Sequence, residues 1–193
     1  MKAVKHHFQR VGVFVDVANM YYSAKNLHQS FVNFEEILKT AVAGRQLIRA
    51  FAYVIRADIE SEKNFFDALE KQGFEVKAKD LQIFPGGMKK GDWDVGLCMD
   101  AVTLLAKIDA LVLVSGDGDY SELLDYVRSH GVRTEVIAFG RTTSGRLREQ
   151  TDEFTDIDGE LSRYLIKSLK RTRTGRRPSL PEIGRTDYAN DQS

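Results

Sequence analysis

Ala110-Leu-Val-Leu-Val114 runs directly into Ser115-Gly-Asp-Gly-Asp-Tyr120. A short unbroken apolar run ended by a glycine-rich turn reads as a strand buried on both faces. Residues 119–129 follow with helical spacing, and Gly131 supplies a stop. Strand, turn and helix in that order are the repeating unit of an α/β fold. The same unit recurs on both sides. Residues 11–15 (VGVFV) are a second apolar run, followed by helical stretches at 19–29 and 34–43. Residues 47–55 (LIRAFAYVI) predict a strand. Residues 60–72 predict a helix with Phe65, Phe66 and Leu69 on one face, closed by Gly73. Residues 74–78 and 132–139 predict two more strands, and 154–157 a short edge strand. Residues 93–106 predict an amphipathic helix; 143–150 and 159–170 predict two further helices. Alternation of this kind implies an α/β protein with a mostly parallel central sheet and right-handed crossovers.

The chain has 193 residues, 42% of them hydrophobic and 29% charged, which suits one domain with a real core. A domain over 1–169 and a basic, flexible tail over 170–193 are expected. The formal net charge is zero, but residues 161–193 carry eight Lys/Arg against three acids, leaving an acidic body and a basic tail. No apolar run approaches the ~20 residues of a membrane helix. The N-terminus, MKAVKHHFQR, is too polar for a secretory signal, so a cytoplasmic location is expected. One cysteine, Cys98, excludes an internal disulfide framework and a Cys-based zinc site, and its apolar neighbours suggest a core thiol. His6, His7, His28 and His130 lack ligand spacing. GxGxxG, Walker A, nucleophile-elbow and complete EF-hand patterns are missing from the sequence.

Ligands of open α/β sheets bind outside the carboxyl ends of the strands. Three segments send acids there: Asp16 after the first strand, Asp117 and Asp119 after the 110–114 strand, and Asp92 and Asp94 before the 93–106 helix. Each acid alone has a plain structural explanation. Asp16 and Asp119 are placed to cap helices, and Asp94 favours a helix dipole. Asp100 lies six residues after Asp94, roughly 240° around a helix, which ranks it as a supporting residue or a surface acid. Together they pose a charge problem. Two unit charges about 4 Å apart repel by ~1 kcal/mol in water and ~4 kcal/mol at an effective dielectric near 20. Protons or cations must neutralise such a cleft. Hard oxygen ligands suit Mg²⁺ or Mn²⁺, one or two ions, and those ions suit phosphoryl chemistry.

Three ordered motifs carry a family resemblance: Val15-Asp-Val-Ala-Asn19, Lys90-Gly-Asp-Trp-Asp-Val95 and Val114-Ser-Gly-Asp-Gly-Asp-Tyr120. Over roughly residues 10–158 they resemble the NYN domain in its LabA-like branch, a family similar to the PIN-domain nucleases. The resemblance implies a PIN-like three-layer α/β/α sandwich and metal-dependent RNA cleavage. It places the metal-binding and catalytic acids on Asp16, Asp94, Asp117 and Asp119, with Asn19 as a polar neighbour. The family's Lys-Gly-x-Asp-Val has one extra residue here, so either Asp92 or Asp94 is the matching acid. The last Asp is followed by Tyr120, where the family often has Phe.

The expectation is a ribonuclease that hydrolyses single-stranded RNA and leaves a 5′-phosphate. Asn19 and Ser115 would orient carboxylates or phosphate, with Asp100 in support. Lys89, Lys90 and Arg146, with Arg141 and Arg148, are the phosphate-contact candidates, and the tail would add salt-dependent RNA affinity. The competing readings are a non-catalytic RNA-binding or regulatory module and a haloacid-dehalogenase-like phosphatase. The phosphatase needs a second acid at position 18, which is Ala18. RNA is the expected partner, a membrane is not, and a homo-oligomer stays open.

Overall fold

The computed structural model describes residues 5–56, 59–83 and 89–166. Strand β1 (Arg10–Asp16) leads straight into α1 (Val17–His28), and a two-residue β2 (Phe31–Val32) precedes α2 (Phe34–Val42). Then come β3 (Gln46–Arg56), α3 (Ile59–Lys71) and β4 (Glu75–Asp80). A small ribbon of β5 (Gln82–Ile83) and β6 (Lys89–Lys90) precedes α4 (Asp94–Leu104) and β7 (Ala110–Val114). The chain continues through α5 (Ser121–Ser129), β8 (Arg133–Ala138), α6 (Gly145–Gln150), β9 (Glu153–Asp156), α7 (Leu161–Tyr164) and β10 (Leu165–Ile166).

Six strands form one sheet in the order β4-β3-β1-β7-β8-β9, with every neighbour parallel. The period-2 alternation of each strand sorts its side chains onto two faces. Val11, Val13 and Val15 join Ala110, Val112, Val114 and Ile137 in a core with Met20, Ile37, Leu38 and Leu69. Phe14, Phe51, Tyr53, Leu111, Leu113 and Val136 form the opposite core with Leu97, Leu104, Leu124 and Leu147. Helices therefore cover both faces, giving the expected three-layer α/β/α sandwich. Gly12 is a packing requirement: a Cβ there would lie 2.9 Å from the Leu104 side chain.

The order of the strands locates the ligand crevice. From β1 the chain moves outward through β3 to β4, then returns to place β7 on the other side of β1. The carboxyl ends of β1 and β7 thus flank the switch point, where adjacent loops diverge and leave a cleft. Asp16 ends β1, and Ser115 follows β7.

Three local expectations are corrected. Within the described part of the expected 159–170 helix there is one α-helical turn, Leu161–Tyr164, after which Leu165 and Ile166 pair antiparallel with Val32 and Phe31; residues 167–170 lie outside the described residues. Leu161, Tyr164 and Leu165 have helical spacing, but the backbone of Leu165 finds a ladder partner instead. The 93–106 helix is not amphipathic, because Val95, Met99 and Val102 face solvent. Cys98 is half-buried at the margin of the second core. The basic tail lies outside the described residues.

A buried ion pair ties the opposite end of the sheet. Arg45 donates to both carboxylate oxygens of Glu135 at 2.7 and 2.8 Å and to the Ala41 and Val42 carbonyls. Lys5 and Arg133 also reach Glu135, each at 3.0 Å. Burial works to raise the Glu135 pKa, but these cations outweigh it and hold the carboxyl below its ordinary value. Removing one member of such a pair leaves the other charged and desolvated. Glu135→Ala is expected to cost ~3–5 kcal/mol in urea unfolding. Glu75→Ala, which breaks only the exposed pair with Arg49, is expected to cost less than ~1 kcal/mol.

Candidate active site

Asp16 occupies the turn between β1 and α1 and caps the helix: its Oδ1 accepts the Asn19 backbone N–H at 3.0 Å. The capping role and the site role coexist because a carboxylate has two oxygens. Oδ2 points toward the β7 exit. There the Ser115 hydroxyl lies 3.5 Å away and the Tyr120 hydroxyl 3.4 Å away. Both are long for O–H···O bonds, whose usual range is 2.5–3.0 Å. Asn19 turns its side chain to the same loop and accepts the Gly116 backbone N–H at 3.0 Å. Ser115 Oγ accepts from the Asp117 N–H at 3.2 Å, and Asp117 Oδ1 accepts from the Asp119 N–H at 3.0 Å. The Ser115-Gly-Asp-Gly-Asp loop is thus a chain of short-range bonds anchored to α1 by Asn19.

Asp94 begins α4. Trp93, just before it, is fixed by an indole N–H bond to the Val54 carbonyl at 2.8 Å. The indole lies across Gly96, where a Cβ would come within 2.6 Å of the ring. This seats the start of α4 beside the β7 exit. The buried Tyr120 hydroxyl then donates to Asp94 Oδ1 at 3.0 Å.

One hydroxyl with one proton therefore faces two carboxylates. It can donate to only one at a time, and the shorter contact is Asp94. Asp16 Oδ2 is left with two long contacts inside a half-buried site. Burial, followed by the charges of Asp94 and Asp117, pushes the Asp16 pKa from 3.8 up to about 6, against the opposing Asn19 N–H. Burial also raises Asp94, with Asp117, Asp92 and Asp119 adding repulsion, and it raises Asp117, with Asp119 adding to it. Tyr120 is pushed well above the usual tyrosine range by burial and then by Asp16 and Asp94, so it stays a proton donor.

Among the described residues, none of Asp16, Asp92, Asp94, Asp117 and Asp119 forms an ion pair with a Lys, Arg or His. The donor set is all oxygen, acidic and short of compensating charge, which is what a hard divalent cation requires. In donor type and charge the site fits such an ion. Convergence goes as far as the Asp16–Tyr120–Asp94 junction: no three His, Cys, Asp or Glu side chains among the described residues stand grouped to hold a metal.

The other candidates fall elsewhere. Asp100 turns from the cleft, accepting from Lys77 at 2.6 Å and from the Tyr53 hydroxyl at 2.9 Å. Arg146 pairs with Glu122 at 2.8 Å. Arg141 pairs with Asp158, which also meets His28 at 2.9 Å. Arg148 donates to the Gly140 carbonyl and lies over the Phe154 ring. The side chains of Lys89 and Lys90 lie outside the described residues. Tyr120 is the junction residue that sequence reasoning missed. Its position after Asp119 was visible, but the direction of its hydroxyl was not.

Residues 10–158 match the family model described as the NYN domain. The chain is 24% identical over 164 residues to the low amplitude and bright protein LabA of Synechococcus elongatus, covering 77% of this chain and 84% of that protein. It also superposes on the crystal structure of a Vibrio parahaemolyticus protein of unknown function, with a TM-score of 0.76 and 30% identity. That match covers 85% of this chain and all of the other. The family match runs from the first residue of β1 to just past β9 and contains every acid of the cleft: the chain belongs to the NYN domain family.

Proposed function

We propose that the protein is a metal-dependent endoribonuclease that hydrolyses phosphodiester bonds in single-stranded RNA. The observation that carries this reading is the junction at Tyr120, where two carboxylates from separate segments meet one proton and, among the described residues, no ion-pairing cation. Asp16, Asp94 and Asp117, completed by Asp119, are the residues that would hold one or two Mg²⁺ or Mn²⁺ ions. A divalent ion there supplies a Lewis acid that acidifies water and offsets charge on the leaving oxygen.

The chain's own groups set the geometry. Asn19 couples the end of β1 to the Gly116 loop, which fixes the spacing between the Asp16 and Asp117 segments. Tyr120 holds Asp94 toward Asp16 and limits its rotation, the part that outer partners of metal ligands play. Ser115 accepts the Asp117 N–H and so steadies the start of the Asp117–Asp119 turn. Lys89 and Lys90 remain the candidates for phosphate contact. The Arg146–Glu122 pair is exposed, so Arg146 can exchange Glu122 for a phosphate at little cost. The absence of three converged ligands among the described residues favours one alternative, a non-catalytic RNA-binding module.

Purified protein is expected to cleave single-stranded RNA with Mn²⁺ or Mg²⁺ and to lose cleavage in EDTA. Asp16→Asn and Asp94→Asn should each lower the rate by ~10²-fold or more, and Tyr120→Phe by roughly 10-fold. Metal-stimulated cleavage that survives Asp16→Asn identifies a contaminating nuclease. RNA binding without turnover under any divalent ion establishes the non-catalytic module.

The same charge balance makes a stability prediction. A carboxyl whose folded pKa is about 6 against 3.8 unfolded holds more protons folded than unfolded between those values. Its contribution to stability is therefore lost as pH rises through 6. The full displacement corresponds to roughly 3 kcal/mol, an upper figure for a partly exposed site. Asn caps a helix as well as Asp, so Asp16→Asn should stabilise the metal-free protein by ~1–3 kcal/mol at pH 8. The gain should vanish near pH 4. Denaturant unfolding at the two pH values measures it, and an Asp16→Asn protein less stable than wild type at pH 8 contradicts the charge assignment.

A further inference from the structure

Strands β3 and β4 carry four cations, and three of them have a carboxylate partner. On β3, Arg49 pairs with Glu75, and Arg56 with Asp80 at 2.6 Å. On β4, Lys77 reaches Asp100 of α4 at 2.6 Å. Lys79 stands two residues nearer the carboxyl edge, on the same face of the strand as Lys77. It is exposed and forms no ion pair among the described residues. Its ammonium donates to the Asp92 backbone carbonyl at 3.1 Å and sits 4.2 Å from the centroid of the Trp93 ring. A Cβ on Gly96 would lie 3.8 Å from the same nitrogen. These contacts put Lys79 Nζ beside the first turn of α4, the turn that begins with Asp94.

The way Lys79 is held fixes its position without cancelling its charge. Asp92 and Asp94 belong to the segment it touches, yet its bond goes to a carbonyl and its ring contact to an indole, both neutral. The N-terminal end of a helix dipole favours acids, so a cation serving structure alone is poorly placed there. The indole attracts the ammonium at this range. Trp93 is itself held by the Val54 carbonyl at 2.8 Å and by the Tyr53 ring 5.3 Å away. A long side chain is therefore ordered before any ligand arrives, which lowers the cost of binding one. An ammonium has three donors, and the Asp92 carbonyl takes one. The arginines on the other flank of the cleft are differently placed, since Arg141 and Arg146 each already face a carboxylate. We propose that Lys79 is a phosphate-binding residue for single-stranded RNA and holds its backbone on the β4 side of the carboxylate cleft.

The assignment rests on the ribonuclease reading for its ligand and adds the path that ligand takes. A point charge on a phosphate positions the strand and carries no base preference. Lys79 therefore strengthens binding alike for all sequences and leaves the chemical step to the carboxylates. Its loss acts on KM rather than kcat, and the demand for divalent metal stays where it is.

Fluorescence anisotropy of a labelled oligouridylate and of a labelled oligoadenylate tests it, with full-length protein in Mg²⁺ over a range of salt. An Asp16→Asn background keeps the RNA largely intact. Adding Lys79→Gln should weaken binding of both RNAs by ~3–10-fold at low salt. It should also reduce the slope of log affinity against log salt by about 0.7, the value for one contact to a single strand. Lys79→Arg, which keeps a cation over the ring, should recover most of the affinity. Lys107→Gln removes the same charge from the far end of α4 and should change neither quantity. In the wild-type background, Lys79→Gln should raise KM for cleavage by a similar factor, with kcat and the Mg²⁺ concentration for half-maximal rate within about twofold. A wild-type protein that neither binds nor cleaves these RNAs overturns the ribonuclease reading and Lys79 with it. RNA binding whose strength and salt slope are unchanged by Lys79→Gln overturns the Lys79 assignment alone. A variant that shifts the Mg²⁺ demand while leaving RNA affinity intact also overturns it and makes Lys79 a positioning residue of the acids.

Discussion

A single proton on Tyr120 stands between two carboxylates that lie 104 and 26 positions away in the sequence. The proton is donated to Asp94, and Asp16 Oδ2 is left with contacts of 3.4 and 3.5 Å. In water this shortage would be filled by solvent. In the crevice, burial and repulsion from Asp94 and Asp117 raise the Asp16 pKa, a bias that a proton or a cation relieves. The organisation of the cleft follows from keeping that repulsion in place. Asn19 pins the β7 loop to α1, Trp93 seats the start of α4, and the buried Tyr120 hydroxyl points at the gap.

The sheet order explains why the acids meet. β1 lies between β3 and β7, and the chain direction reverses about it. Segments following β1 and β7 must diverge there, opening space that no crossover helix fills. Asp16 serves two purposes at this point, since one oxygen caps α1 while the other faces the cleft. The capping oxygen satisfies one of the N–H groups that the first turn of α1 would otherwise leave unpaired. The opposite end of the sheet carries the reverse arrangement, with buried Arg45 and Glu135 fully paired. Charge is paired at the one end of the sheet and, among the described residues, left without an ion-pair partner in the cleft at the other.

Much of this architecture was legible in the residues. Apolar runs at 11–15 and 110–114 marked the two central strands, and Gly73 and Gly131 marked helix ends that do adopt positive φ. The 240° offset of Asp100 from Asp94 anticipated its turn toward Lys77 and Tyr53. What stayed hidden depends on tertiary distance. β2 and β10 are two residues each, too short for any periodicity. Arg146 looked like a phosphate contact until its neighbour across the fold proved to be Glu122. The role of Tyr120 is not legible after Asp119, because an aromatic residue in sequence does not declare where its hydroxyl points. The exposed side of α4 escapes a sequence reading for a related reason: Leu97, Ala101 and Leu104 supply a core face, and the exposed Val95, Met99 and Val102 are apolar as well.

The placement of β1 also has a consequence for biosynthesis. It emerges first from the ribosome, yet one of its two ladder partners is β7, with Val11 opposite Ala110 and Val15 opposite Val114. Translation at ~5–20 residues per second leaves β1 waiting roughly 5–20 s for that partner. During this interval its apolar edge is open to pairing with other chains. The nascent protein is thus most vulnerable to aggregation before the loop bearing Asp117 and Asp119 has been made.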